Sequence, residues 1–203
     1  MKLFVEGGGD RHALKAECRN AFTSFLKKAG FSGKMPRVVA CGSRIKAFES
    51  YTDEIAAGGK AFLLVDSEAA VEDIYQKGDI LNWNPWAHLL SRDGWIKPTN
   101  AKDIDCHLMV QIMETWFIAD IDTLVNYFGQ NFNRNALSKK NLIELIPKKD
   151  IYSALALATK ATNKGVYSKG EHSFQLLRLI DPKKVKSLSP WARRFLELLE
   201  KSI

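Results

Sequence analysis

The chain has 203 residues, of which 46% are hydrophobic and 26% charged, with a formal net charge of +7. That balance affords a real core and excludes wholesale disorder. No apolar stretch approaches the ~20 residues of a membrane helix, and no secretory h-region with a small-residue cleavage site opens the chain, so a cytoplasmic protein with no membrane partner is expected.

Leu3 to Val5 is a short apolar run and reads as a buried strand. It ends in Glu6, three glycines and Asp10, and a helical pattern starts at once. The spacing predicts a helix from about Arg11 to Lys28, with Asp10 as N-cap, Leu14, Cys18, Phe22 and Phe25 on its inner face, and Gly30 as its stop. Arg37 to Cys41 is a second strand closed by Gly42, and Ser43 caps a helix from Arg44 to about Ala57. Ala61 to Val65 is continuously apolar, as expected of a central strand covered on both faces. It runs into Asp66-Ser67-Glu68. The order βαβαβ, with connections long enough for helices, predicts a parallel sheet with right-handed crossovers.

Residues 69–103 read as loop, short helix and loop, with Trp86, Leu89 and Leu90 on the helix. Trp83, Trp86 and Trp95 in that segment can stack bases, pack a small core or meet a protein partner. Cys106 to Ile112 is a possible fourth strand carrying a buried, hydrogen-bonded His107, and a helix with Trp116 and Phe117 in the core follows to about Phe128, stopped by Gly129. From Ser138 the pattern is helical: 139–146, 150–162, 171–180, and 190–201 capped by Ser189, with a basic turn over 163–170. The expected class is therefore α/β: a Rossmann-like parallel sheet of about four strands in residues 1–130, with a basic helical region, 131–203, packed on it.

The charge is uneven. Residues 1–137 carry 16 Lys/Arg against 17 Asp/Glu, a net −1, and residues 138–203 carry 14 against 6, a net +8. A basic region points to a polyanion partner, or to a lysine-rich solvated surface. Cys18, Cys41 and Cys106 are odd in number and far apart, so they read as reduced structural thiols. With no Cys-x-x-Cys or His-x₃-His pairing, zinc is not expected.

Acids gather where strand carboxyl ends should meet: Glu6 after the first strand, Asp66 and Glu68 after the third, Asp10 at the helix start and Glu114 after the fourth. Taken singly, each can be a mere turn former or cap. Together they would repel one another, and a hard divalent cation relieves that repulsion while using a few carboxylates, waters and substrate phosphate. Residues two apart on an extended stretch point the same way, so Asp66 and Glu68 can face one site. A dinucleotide cradle is disfavoured, since G-x-G-x-x-G would need glycine where His12 stands, and no G-x₄-G-K-[ST] is present.

Val5-Glu6-Gly7-Gly8-Gly9-Asp10 followed by Leu63-Leu64-Val65-Asp66-Ser67-Glu68 resembles the signature of the TOPRIM fold, shared by topoisomerases, DnaG-type primases and the OLD (overcoming lysogenization defect) nucleases, with Asp-x-Glu here in place of Asp-x-Asp. The Glu6–Asp10 spacing resembles the OLD-type arrangement, in which a later acid and a downstream lysine also act. Glu114 and Lys169 match those roles more loosely. The segment from Glu114 to Asp120, with Tyr167-x-Lys169 and the ending Asp181-Pro182…Ser189-Pro190, resembles a family of small stand-alone TOPRIM-like proteins of unknown function found beside ABC-type ATPases in prokaryotic defence loci.

The resemblance implies a nuclease cleaving DNA or RNA. Glu6, Asp10, Asp66, Glu68 and Glu114 would hold Mg²⁺ or Mn²⁺, and Lys169 would neutralise charge on the scissile phosphate. It also implies an antiviral effector under an ATPase partner. Lys164, His172, Lys183, Lys184, Lys186, Arg193 and Arg194 are candidates for phosphate contact beside Lys169, although His172 can equally cap a helix and His12 can be a surface residue. Two rivals stay open: a silent regulatory module docked on an ATPase, and a phosphoryl-transfer enzyme acting on small nucleotides.

Overall fold

The structure, a computed structural model, describes residues 1–138 and 141–203. Four parallel strands form one sheet in the order β2-β1-β3-β4: β1 is Lys2–Gly8, β2 Arg37–Gly42, β3 Ala61–Asp66 and β4 Cys106–Met109. Every residue of β3 is buried, as its unbroken apolar run requires. Side chains alternate between two apolar layers. Leu3, Val5, Phe62 and Leu64 meet Cys18, Phe22 and Phe25 of α1 (His12–Leu26) on one face. Phe4, Leu63 and Val65 meet Tyr51 and Ile55 of α2 (Arg44–Ala56) on the other. Helices on opposite faces place a topological switch between β1 and β3, and the crevice at such a switch is where open α/β sheets bind ligands.

Ser43 caps α2 as expected, its hydroxyl accepting from Lys46 N at 3.3 Å. Asp10 does not cap α1. That position falls to Arg11, which makes no side-chain cap bond, and the Asp10 carboxylate pairs with Lys46 at 2.8 Å. The fourth strand stops at Met109 rather than Ile112, because the backbone beyond it bonds the turn after β3: Ser67 N donates to Met109 O at 3.0 Å and Glu68 N to Gln111 O at 2.7 Å. The helix expected to reach Phe128 is two, α4 (Thr115–Ile118) and α5 (Ile121–Phe128). Asp120 divides them by capping α5, accepting from Thr123 Oγ1 at 2.7 Å, while it also accepts from Asp181 N at 2.9 Å.

Between β3 and β4 lies α3 (Pro85–Asp93), capped by Asn84. Trp83 and Trp86 are buried in the α2-side layer, and Trp95 stacks on Phe48 with ring centroids 4.5 Å apart, so this cluster is core rather than a base-stacking platform. The helix predicted over 139–146 is, in its described part, a single 3-10 turn at Ile143–Leu145 before Pro147, and positions 139 and 140 lie outside the described residues. Then come α6 (Lys148–Thr159), α7 (Lys169–Leu179), α8 (Pro182–Leu188) and α9 (Pro190–Ser202). Ser189 caps α9 as expected, accepting from Ala192 N at 3.1 Å. Phe174 and Leu177 of α7 and Phe195 and Leu199 of α9 join the same apolar layer as α1, so the helical region completes a face of the sheet. All three cysteines are buried and free. Among the described residues, no helix is long and apolar enough to cross a membrane.

Candidate functional site

Three carboxylates converge at the switch point. Oxygens of Glu6, Asp66 and Glu68 all lie within 4.8 Å of one another. Glu6 sits near the end of β1 and Asp66 ends β3, and the two strand ends are tied together by Asp66 N donating to Glu6 Oε2 at 3.1 Å. Asp66 is 2% exposed and its Oδ1 accepts from Met113 N at 2.8 Å. Glu68 is not on an extended stretch. Its φ is +64°, a left-handed conformation that a non-glycine residue adopts at a cost. The turn, rather than the alternation of a strand, therefore brings Glu68 alongside Asp66, with His88 bonded to Ser67 O at 3.0 Å beneath it.

Burial raises the pKa of Glu6 against the pull of the Asp66 backbone N–H and the nearby Lys169 and Arg44. Burial raises Asp66 well above the usual carboxylate range, and the neighbouring Glu6 adds to it. Two crowded acids that resist ionisation next to a third make a donor set that suits a hard divalent cation.

Basic groups border the acids. Arg44, just past the end of β2, donates from Nε to Asp66 O at 2.7 Å and lies 4.0 Å from Glu6, while its other end is held by Asp93 at 2.7 Å. Lys148, the first residue of α6, is paired with Glu68, and Arg92 stands 4.0 Å from the same carboxylate. Lys169, the first residue of α7, reaches to 3.8 Å from Asp66 and 3.9 Å from Glu114. Burial pulls its ammonium down, but the carboxylates of Glu114 and Asp66 outweigh burial and hold its pKa above the ordinary value. Glu114 is fully buried behind Lys169, accepting from Tyr167 at 3.0 Å and Tyr152 at 3.5 Å.

The glycine turn passes close to α1. A Cβ on Gly8 would lie 2.7 Å from Lys15 Cα, and one on Gly42 would lie 2.4 Å from Gly9 O. This packing throws Asp10 outward. Its side chain is 86% exposed and Lys46 lowers its pKa by hydrogen bonding, so Asp10 is not part of the carboxylate group. A cavity of about 200 Å³ opens beside the acids, lined by Glu6, the three glycines, Asp66 and Lys169, and also by Leu14, Met109, Met113 and Phe174.

The expected phosphate contacts divide. Lys164 and Lys169 are exposed on or beside the turn before α7, with Lys164 4.8 Å over the Tyr127 ring. Lys183 and Arg193 are also exposed. Lys184 is engaged by Asp120 and Asp122 at 2.6 and 3.4 Å, and Lys186 by Glu197 at 3.2 Å. His172 lies in the packing instead of on the surface: it is 5% exposed, its Nδ1 accepts from Ser168 N at 2.9 Å, and it packs against Phe128 and Tyr167. Arg194 is wholly buried and donates to the carbonyls of Ile80, Cys106 and Asp103 at 2.9, 2.8 and 2.7 Å, so it binds the fold together instead of a polyanion. His107 lies beside it, buried, with Nδ1 3.3 Å from Arg194.

Arg44, Arg92, Lys148, Tyr152 and Tyr167 escaped the sequence reading as site residues. Arg44 carried a usable signal, since it too follows a strand end. The others reach the site through long-range packing.

The chain is thus an α/β protein with an acidic crevice at the switch of a parallel sheet, bordered by lysines and arginines. The family model described as Domain of unknown function (DUF4276) matches residues 5–200, and the chain belongs to that family. Searches of the curated proteins and of the solved structures returned no match.

Proposed function

We propose that the crevice holds Mg²⁺ or Mn²⁺ and that the protein hydrolyses phosphodiester bonds of DNA or RNA. The observation that carries this reading is the convergence of Glu6, Asp66 and Glu68 within 4.8 Å at adjacent strand ends. Those three residues would hold the cation, and the donor set of hard oxygens fits it. A divalent cation bound there supplies an activated water and offsets charge on the reacting phosphate.

The chain supplies the rest. Lys169 stays protonated at neutral pH, so it serves as a fixed positive charge for a phosphate oxygen rather than as a proton donor. Glu114, locked by Tyr152 and Tyr167, positions that ammonium next to Asp66. Arg44 fixes the Asp66 backbone and keeps the two strand ends together. The exposed Lys164, Lys183 and Arg193 offer contacts to a polymer backbone. The resemblance to small TOPRIM-like proteins found beside ABC-type ATPases supports a role for this activity as an antiviral effector under such an ATPase partner.

Asp66→Asn tests the reading, because its Oδ1 can still accept from Met113 N and the turn keeps its support. Wild type should bind Mn²⁺ by calorimetry. At a hundred times Kd the ion should stabilise it by about 2.7 kcal/mol, a rise in Tm of roughly 5–11 °C for a chain of this size. It should also cleave an oligonucleotide in a metal-dependent way. Asp66→Asn and Glu6→Gln should lose both effects while remaining folded. Cleavage retained by Glu6→Gln would overturn the assignment of these acids as the site, and a wild type that cleaves nothing and binds metal no better than the two variants would overturn the proposal in favour of a regulatory module.

A further inference from the structure

We propose that the cavity beside the carboxylates is a pocket for one unpaired nucleobase flanking the scissile phosphate, which makes the substrate class single-stranded or locally unpaired nucleic acid. The inference rests on the phosphodiesterase reading and adds its substrate class.

Size comes first. The cavity measures about 200 Å³. At ~30 Å³ per water that is the space of roughly seven waters, and it falls below the ~300–1,000 Å³ of pockets that enclose a drug-sized ligand. It can take one ring system, and neither a run of nucleotides nor a stacked pair fits. Protein interiors normally close such spaces, and here the backbone of Gly7, Gly8 and Gly9 lines one side of it without side chains.

Lining comes second. Leu14, Met109, Met113 and Phe174 contribute to a wall that Glu6 and Asp66 share. Thioether and phenyl surfaces suit the face of an aromatic ring, and a bare divalent ion with its phosphate has no use for four apolar side chains. Cation chemistry and an apolar slot therefore share one cavity, as a nucleotide with its phosphate on the acids and its base against the apolar wall would require. A base stacked inside a duplex cannot enter; it must be unpaired or turned out of the helix, which costs stacking and pairing in a duplex and little in a single strand.

The four methionines provide the probe, since Met109 and Met113 line the cavity and Met1 and Met35 do not. With methyl-¹³C methionine in the full chain and Mg²⁺ present, nucleoside 5′-monophosphates should shift the Met109 and Met113 methyl signals and leave Met1 and Met35 in place. Ribose 5-phosphate should shift none of them. Leu14→Trp, at a half-buried position on the rim, should weaken nucleotide binding at least tenfold, with unmoved Met1 and Met35 signals reporting an intact fold. In cleavage assays wild type should prefer a single strand over the same sequence as duplex by at least tenfold. Equal shifts from ribose 5-phosphate, no nucleotide-induced shift at Met109 and Met113, or unchanged affinity in Leu14→Trp would overturn the pocket. So would equal cleavage of duplex and single strand, which leaves the nuclease reading standing. Nucleotide binding at this wall in a protein that cleaves nothing would instead overturn the nuclease reading and leave the pocket.

Discussion

Gly8→Ala and Gly9→Ala are adjacent, chemically identical changes that the structure separates sharply. Gly8 has φ +89°, and a Cβ there would lie 2.7 Å from Lys15 Cα and 2.9 Å from Lys15 N, both backbone atoms of α1. The left-handed conformation costs an alanine about 1–2 kcal/mol, and moving turn or helix apart to relieve the overlap adds about 1–3 kcal/mol. The sum, about 2–5 kcal/mol, is a large part of a total stability of ~5–15 kcal/mol. Gly9 has φ +50° and nothing within 4 Å of its Cβ, so only the backbone cost of about 1 kcal/mol remains. At ~2–4 °C per kcal/mol, a mid-range 3 kcal/mol for Gly8→Ala lowers Tm by roughly 6–12 °C, and Gly9→Ala lowers it by roughly 2–4 °C. Urea unfolding and a thermal scan on both variants measure the difference. Because Glu6 lies two residues before Gly8, Gly8→Ala should also weaken Mn²⁺ binding more than Gly9→Ala does. Equal destabilisation by the two, or a milder effect at Gly8, would refute the close approach of turn to helix.

Two further outcomes follow from buried charges. Glu144 accepts from Trp191 N at 2.9 Å and from the Ser189 hydroxyl, yet burial outweighs those bonds and raises its pKa from 4.5 to about 7. An acid whose folded pKa is raised binds more protons in the native state, so its stability is present below 4.5 and is lost as pH rises through about 7. At ~1.4 kcal/mol per unit the loss is roughly 3 kcal/mol. Glu144→Gln should therefore flatten the decline in urea midpoint between pH 5 and pH 8, and an unchanged decline would disprove the assignment. Arg194→Met leaves three carbonyls without their donor and should cost about 3–5 kcal/mol. Arg193→Met, one residue away and exposed, should stay within about 0.5 kcal/mol. The reverse ranking, or a drop in nucleic-acid affinity confined to a stably folded Arg194→Met, would restore Arg194 as a polyanion contact.

Much of the fold was legible because local signals agree with burial. The unbroken apolar run of β3 marks a strand covered on both faces, and Ser43 and Ser189 cap the helices they precede. Other features were legible but missed. Asp181-Pro182 is a helix start, with Asp181 accepting from Lys183 N at 2.8 Å, and it opens α8. On α9, Trp191, Arg194, Phe195 and Leu198 share one face at helical spacing, so periodicity already places Arg194 inward and Arg193 outward. The division between α4 and α5 was hidden, because apolar residues run through both and only the reach of Asp120 to Thr123 and Asp181 sets the break.

The site divides along the same line. Its acidic half could be read from strand ends, since Glu6, Asp66 and Glu68 follow β-patterns directly. Asp10 shares their sequence signal and lies elsewhere, because three consecutive positive-φ glycines and a register shift at Gly7 and Gly8 turn the chain outward before it. The basic and phenolic half comes from the helical region, where no local pattern announces it. Lys148 and Tyr152 stand one turn apart on α6 and touch Glu68 and Glu114, while Tyr167 and Lys169 meet Glu114 from the entry to α7. Residues 131–203 are therefore more than a basic appendage on an α/β core. They supply Lys169 and the two hydroxyls that hold Glu114, together with one wall of the cavity through Phe174. The sheet gathers the carboxylates that would hold the proposed cation, and the helices bring the groups that a phosphate and its nucleoside would meet.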